Sequence, residues 1–212
     1  MHVETGVSAD PGWMAKIRSD NWMHGIGYAP VPIRCGASIL AGLNIRYENF
    51  VFVDFGAGKG RMLFLAAEFP FRQIIGVEYS ADLHATLARN LHTYRNPAQR
   101  CGDLQGVLQD ATQFDLPLEP LVLFFHHPFD APVFRQVITR IERSLDEAPR
   151  EILVVYFDPI CGDLFECSRH FQRLQHGERD PNVRYSSPWT VYGSRVRVAN
   201  EPADAPPAAA AR

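Results

Sequence analysis

From Phe50 to Phe157 short runs rich in β-branched and aromatic residues alternate with longer stretches whose apolar residues recur at helical spacing. Strands of this kind need neighbours for their backbone groups, and amphipathic helices need a face to cover. The pattern therefore predicts an α/β fold, a mostly parallel sheet built from βαβ units. Strands are expected at Phe50 to Phe55, Gln73 to Glu78, Gly106 to Gln109, Leu121 to Phe125 and Glu151 to Phe157. Phe171 to Gln175 and Thr190 to Val198 are expected to close the sheet as an antiparallel pair. A helix from about Gly60 to Glu68 is stopped by Pro70. Another begins at Ser80, a capping residue, and carries Leu83, Leu87 and Leu91 until Pro97. A third repeats Val, Ile and Leu from Val133 to Leu145.

Residues 1–49 are punctuated by Pro11, Gly12, Gly25, Gly27, Pro30 and Pro32 and read as a short cap, with Ala37 to Leu43 as one helical piece. Residues 201–212, rich in Ala and Pro, have no apolar face to bury and are expected to form a disordered tail. Residues 50–200 are left as one globular domain, in keeping with 212 residues at 46% hydrophobic content. Lys and Arg number 21 against 24 Asp and Glu, a formal charge of -3. No bulk positive field therefore marks a nucleic-acid or anionic-membrane partner, although a local basic patch is compatible with that balance. Cys35, Cys101, Cys161 and Cys167 lack Cys-x-x-Cys spacing, and with eight scattered histidines they form no metal-ligand pattern. Reduced structural thiols and no metal are expected. No apolar run reaches about 18 residues, the length of a membrane span, and the N-terminus carries an acid where a signal peptide carries basic residues. A cytoplasmic protein is expected.

Val51 to Arg61 reads Val-Phe-Val-Asp-Phe-Gly-Ala-Gly-Lys-Gly-Arg, a strand followed by an acid and three glycines at alternate positions. Such glycines let the backbone turn tightly, approach a ligand and open a helix whose first amides face the site. A dinucleotide fingerprint needs Gly-x-Gly-x-x-Gly, and Arg61 stands where its third glycine belongs. A P-loop needs a four-residue spacer before Gly-Lys-Ser/Thr; Gly58-Lys59-Gly60-Arg61 lacks the spacer and the hydroxyl. The segment offers instead Asp54 ahead of Gly56, Gly58 and Gly60, with a second acid, Glu78, spaced to reach a ribose diol. Acids in place of phosphate donors suit a sulfonium nucleoside with an amino-acid tail, S-adenosylmethionine. Taken singly, the glycines also suit a plain tight turn, Glu78 a solvated strand end and Asp110 a helix cap.

On these residues the chain resembles, from about Tyr28 to Asp158, the class I S-adenosylmethionine-dependent methyltransferases. The resemblance implies a Rossmann-like seven-stranded sheet with helices on both faces. It implies that Asp54, Gly56, Ala57, Gly58 and Gly60 wrap the methionine part and that Glu78, with Tyr79 beside it, binds the ribose hydroxyls. Gln109-Asp110-Ala111-Thr112 resembles the family's adenine site, with Asp110 taking the exocyclic amine and Ala111 alongside.

The fourth strand delivers Phe124 to Asp130 to the carboxyl edge of the sheet, where substrates of such folds lie. His127-Pro128-Phe129 resembles the Asn-Pro-Phe segment that amino-methylating members place beside the transferred methyl, with His127 in the asparagine position. The resemblance implies an acceptor amine, a protein lysine among the candidates, with His127, Pro128 and Phe129 at the reacting centre. A histidine there is a usable base near neutrality, or else it caps the strand end. Gly27 to Pro32 resembles the Tyr-x-Pro segment of protein-lysine-methylating members, in which Tyr28 would close over the cofactor; as plain chemistry Tyr28 is a packed loop anchor. Lys59 and Arg61 are expected to be solvated, and Trp13, Trp22 and Trp189 to be buried in the core, with the lining of a substrate pocket as the alternative. A small molecule or a nucleic acid as acceptor, and a cofactor-binding protein without catalysis, are the alternatives.

Overall fold

The computed structural model describes residues 3–6 and 29–195. Tyr28, Trp13, Trp22, residues 196–198 and the expected tail lie outside the described residues. Five apolar runs form parallel strands: β1 (Val51–Phe55), β2 (Gln73–Glu78), β3 (Leu104–Leu108), β4 (Leu121–His126) and β5 (Ile152–Phe157). β6 (Phe171–Gly177) and β7 (Trp189–Ser194) pair antiparallel with each other, and β7 also runs antiparallel to β5. The order across the sheet is β3-β2-β1-β4-β5-β7-β6. Strand order thus reverses between β1 and β4, which opens a crevice outside their carboxyl ends.

Side chains alternate between two faces. Phe52, Ile74, Phe124 and Val155 lie under α1 (Ile33–Ala41), α2 (Arg61–Ala66) and α3 (Ala81–Thr93). Val53, Ile75, Leu123 and Val154 lie under α4 (Ala131–Glu147) and α5 (Asp163–Glu166). β1 and β5 are buried along their whole length, as a sheet covered on both faces requires. Each fully buried phenylalanine, Phe52 and Phe134 among them, contributes roughly 1.5–3 kcal/mol by leaving water.

Several ends differ from the periodicity. α2 stops at Ala66 instead of Glu68, because the amides of Glu68 and Phe69 bond to carbonyls three residues back and tighten the last turn. α3 starts as expected, with Ser80 Oγ accepting from Leu83 N, and ends at Thr93, short of Pro97. Tyr94 ends it: its ring packs 4.4 Å from that of Phe64 and its hydroxyl donates to Phe64 O at 3.1 Å. α4 begins two residues before the apolar repeat because Asp130 caps it and Pro132 occupies its first turn. α5 carries no sequence periodicity to reveal it, being four residues long.

At the opposite, amino edge of the sheet, Arg150 closes the end of α4. Its guanidinium donates to Ser144 O and Ala148 O, both at 2.9 Å, to Ser144 Oγ at 2.8 Å and to Glu119 O at 3.1 Å. Arg150→Met removes these hydrogen bonds and is expected to lower stability by about 2 kcal/mol. Urea denaturation measures it, with ligand binding at the carboxyl edge unchanged.

Candidate functional site

Glu78 ends β2 and is 3% exposed, yet it carries a carboxylate. Its oxygens accept backbone hydrogen bonds from Gly58 at 2.7 Å and Ser80 at 2.8 Å. Asp54, on the neighbouring strand, is 4% exposed. Neither acid has an ion-pair partner among the described residues. Burial pushes the Asp54 carboxyl up to about 8, and the nearby Glu78 charge adds to it. Burial likewise pushes Glu78 up to about 7, partly offset by the amides of Ser80, Gly58 and Tyr79. Burial also raises the Tyr79 phenol to about 12, with further contributions from Glu78 and Asp110.

Gly56, Gly58 and Gly60 are all left-handed, with φ of 76°, 55° and 89°. At Gly56 a side chain is excluded twice over, since a Cβ would also come 2.6 Å from Cβ of Pro128. The loops after β1 and β4 therefore touch. Asp54, Gly56, Ala57, Glu78, Tyr79, Pro128 and Phe129 line one cavity, joined by His126 and by a roof of Ala29, Pro30 and Val31. Its free volume of about 60 Å³ is less than the roughly 300–1,000 Å³ of ligand sites, so a nucleoside enters only if the roof shifts.

The other expected site residues lie apart from this lining. Gly58 and Gly60 shape the loop. Asp110 caps its own turn, its Oδ1 accepting from Thr112 N at 2.8 Å and Thr112 Oγ1 at 2.7 Å, although its charge reaches Tyr79. Ala111 is buried in the core with Phe114. His127 has a left-handed φ of 40°, and its Nδ1 lies 3.2 Å from the Tyr156 hydroxyl. It is His126 that faces the cavity. Its ring bonds to the Ala29 backbone and stands edge-on to Phe157, 4.9 Å away. Burial pushes both imidazoles below their ordinary value while Asp158 pulls the other way. One step along a strand exchanges faces, and a histidine doublet gives the sequence no means of choosing between them.

Two expectations are corrected. Lys59 is 3% exposed, with Nζ 2.5 Å from Glu4 Oε1, and Arg61 donates to Thr5 O and Val31 O; neither side chain is simply solvated, because the N-terminal residues pack on that side of the loop. Trp189 is half-buried and lines a second cavity of about 190 Å³, with Arg34, Cys35 and Ser38 of α1 and with Glu178 and Asp180. The indole lies against Gly177, where a Cβ would come 2.2 Å from the ring. His126, Phe157 and Trp189 are in register across β4, β5 and β7. At about 4.8 Å per strand the two cavities stand on the order of 10 Å apart along one edge. Among the described residues no group of three or more His, Cys, Asp or Glu could hold a metal ion. No helix among them is long and apolar enough to cross a membrane.

No family model matches the sequence, and no curated protein matches it either. Solved structures match in fold. A S-adenosylmethionine-dependent methyltransferase from Leishmania major has a TM-score of 0.56 at 14% identity, over 76% of this chain and 70% of that one. An RNA methyltransferase from Salinibacter ruber, in complex with S-adenosyl-L-homocysteine, has a TM-score of 0.52 at 16% identity, over 83% and 98%. An rRNA methylase from Streptococcus thermophilus has a TM-score of 0.52 at 15% identity, over 81% and 100%. The shared architecture is the Rossmann-like methyltransferase fold, a seven-stranded sheet with helices on both faces.

The buried acids set a pH dependence of unusual sign. Their folded values lie above the unfolded ones of about 4, so the folded chain holds extra protons between about pH 4 and their raised values. Their contribution to stability is complete below that window and is lost as pH rises through it, by at most about 1.4 kcal/mol per pH unit for each carboxyl. Urea denaturation from pH 5 to 8 is expected to show this fall, with a flatter slope in Asp54→Asn. A slope identical in that variant would contradict the assignment of the fall to Asp54.

Proposed function

We propose that this chain is a S-adenosylmethionine-dependent methyltransferase that binds its cofactor in the first cavity and methylates an amine. The observation that carries the reading is the pair of buried acids, Asp54 and Glu78, beside a left-handed glycine loop whose lysine points away from the cavity toward Glu4. Such a floor offers carboxyl oxygens to hydroxyl and ammonium groups. Glu78 offers about four lone-pair sites as a carboxylate, so it retains capacity for ribose hydroxyls beyond its backbone donors. Asp54, Gly56 and Ala57 face the amino-acid tail, and Tyr79 flanks the nucleoside. Asp110 and Ala111, near Tyr79 in this reading, take the base end once the roof has moved.

When bound, S-adenosylmethionine supplies an electrophilic methyl group that passes to a nitrogen lone pair while its sulfur keeps the electrons of the broken bond. The residues of the chain orient the acceptor and exclude water. Pro128 and Phe129 form the wall toward the acceptor. In the tautomer whose Nδ1 carries the proton toward the Tyr156 hydroxyl, His127 has Nε2 to accept the proton that the nitrogen sheds. The second cavity, with Glu178, Asp180 and Trp189, suits a cationic acceptor such as a protein lysine.

A nucleobase amine is the second reading. Two of the three fold neighbours named above are RNA methylases, and an exocyclic amine presents the same kind of nitrogen. The net charge of -3 weighs against it.

Calorimetric titration with S-adenosylmethionine is expected to show binding, weakened at least about tenfold in Glu78→Ala. His127→Ala is expected to bind normally and to lose most of its turnover with labelled methyl donor on fractionated extract. Absence of binding at millimolar cofactor overturns the reading, and label in RNA but not in protein moves the acceptor to a nucleobase.

A further inference from the structure

Residues 3–6 are laced onto the outside of the glycine loop. Asn90, on α3 and 5% exposed, accepts from Glu4 N at 2.9 Å and donates through Nδ2 to Glu4 O at 3.0 Å and Lys59 O at 2.9 Å. Its amide pairs with Glu4 as a neighbouring strand would. The Lys59 ammonium meets the Glu4 carboxylate, and this hydrogen bond is the largest cause that holds the Glu4 carboxyl below its ordinary value. Arg61 adds bonds to Thr5 O at 2.7 Å and Thr5 Oγ1 at 3.3 Å, and with the same guanidinium it holds Val31 O of the roof at 3.1 Å.

Glu4, Lys59 and Asn90 grip the loop from outside the cavity lining, and Arg61, at the cavity wall, ties the strap to the roof. Gly58 N is held from within by Glu78, and Lys59 O from without by Asn90. Glycines lose the most conformational freedom on ordering, so a loop with three of them binds weakly unless it is ordered beforehand. The Lys59 side chain is 3% exposed whereas that of Glu4 is 65% exposed. The segment is therefore a strap at the surface, and its release would strip a buried ammonium of a counter-charge, which disfavours the closed loop.

We propose that Glu4, Asn90 and Lys59 are positioning residues for the cofactor, and that residues 3–6 form a strap whose docking presets the glycine loop and so sets cofactor affinity. The proposal rests on the S-adenosylmethionine reading of the first cavity. Coupling of this kind is reciprocal: whatever factor the docked strap adds to cofactor affinity, the cofactor adds to strap docking.

The test uses the full chain and S-adenosylmethionine. Glu4→Ala, a surface change, is expected to weaken binding about tenfold, within the usual range of coupling between sites. In the wild type, cofactor is expected to slow hydrogen exchange of the Glu4 amide by a similar factor, a readout that needs no variant. A purely structural strap would lower the melting temperature of Glu4→Ala and leave its affinity within twofold of wild type; that result, or unchanged Glu4 exchange on saturation, overturns the proposal. If the wild type binds no cofactor, the cofactor reading falls and the strap with it, whereas wild-type binding with indifferent Glu4 removes the strap alone.

Discussion

A carboxylate buried at the end of β2 organises this molecule. Glu78 receives the amide of Gly58 from the loop after β1 and that of Ser80 from the cap of α3, and Ser80 passes the connection on to Leu83. One side chain thereby joins two strands, a loop and a helix start. The backbone amides stand in for water around a charge that the core would otherwise exclude. Gly56 extends the arrangement to a third strand, because its missing Cβ lets Pro128 settle against the loop.

That arrangement leaves Asp54 and Glu78 facing the cavity and directs the Lys59 ammonium elsewhere, while Arg61 lies at the cavity wall. Lys59 and Arg61, both within the glycine segment, end on Glu4, Thr5 and Val31. A loop with a lysine between its glycines looks fit for phosphate in one dimension. In three dimensions its ammonium is held by Glu4 outside the cavity lining, and Asp54 and Glu78 form the floor offered to a ligand. The electrostatic character of the site is thus decided by where the N-terminal residues dock.

This explains which parts were legible from sequence. Strands such as Gln73 to Glu78 carry their own periodicity, and the Ser80 cap is a local hydrogen bond, so both could be read in place. The glycine loop is also a local device, since left-handed backbone and glycine coincide. The fates of Lys59 and Asn90 could not be read, because each depends on a partner 55 or 86 positions away. Which of His126 and His127 faces the first cavity could not be read for a subtler reason: the strand extends one residue past the expected Phe125, and that residue is the one that turns toward the roof. The end of α3 was misplaced because Tyr94 is held by Phe64, a contact across the fold, before Pro97 has any effect.

The acceptor side is where local rules are most plainly broken. His127, Asp158 and Tyr185 are the described non-glycine residues with left-handed backbone, at φ of 40°, 55° and 63°. All follow strands or a turn at the carboxyl edge. His127 and Asp158 come directly after His126 and Phe157, which are paired in register, so two neighbouring strands leave the sheet through strained residues side by side. Such conformations persist only where the surroundings over-determine them, and they collect where geometry serves chemistry. The Tyr156 hydroxyl, which accepts from Cys161 N and meets His127 Nδ1, is a surrounding of that kind. The strain is thus concentrated at the edge between the two cavities, where the proposed acceptor nitrogen has to meet the methyl group.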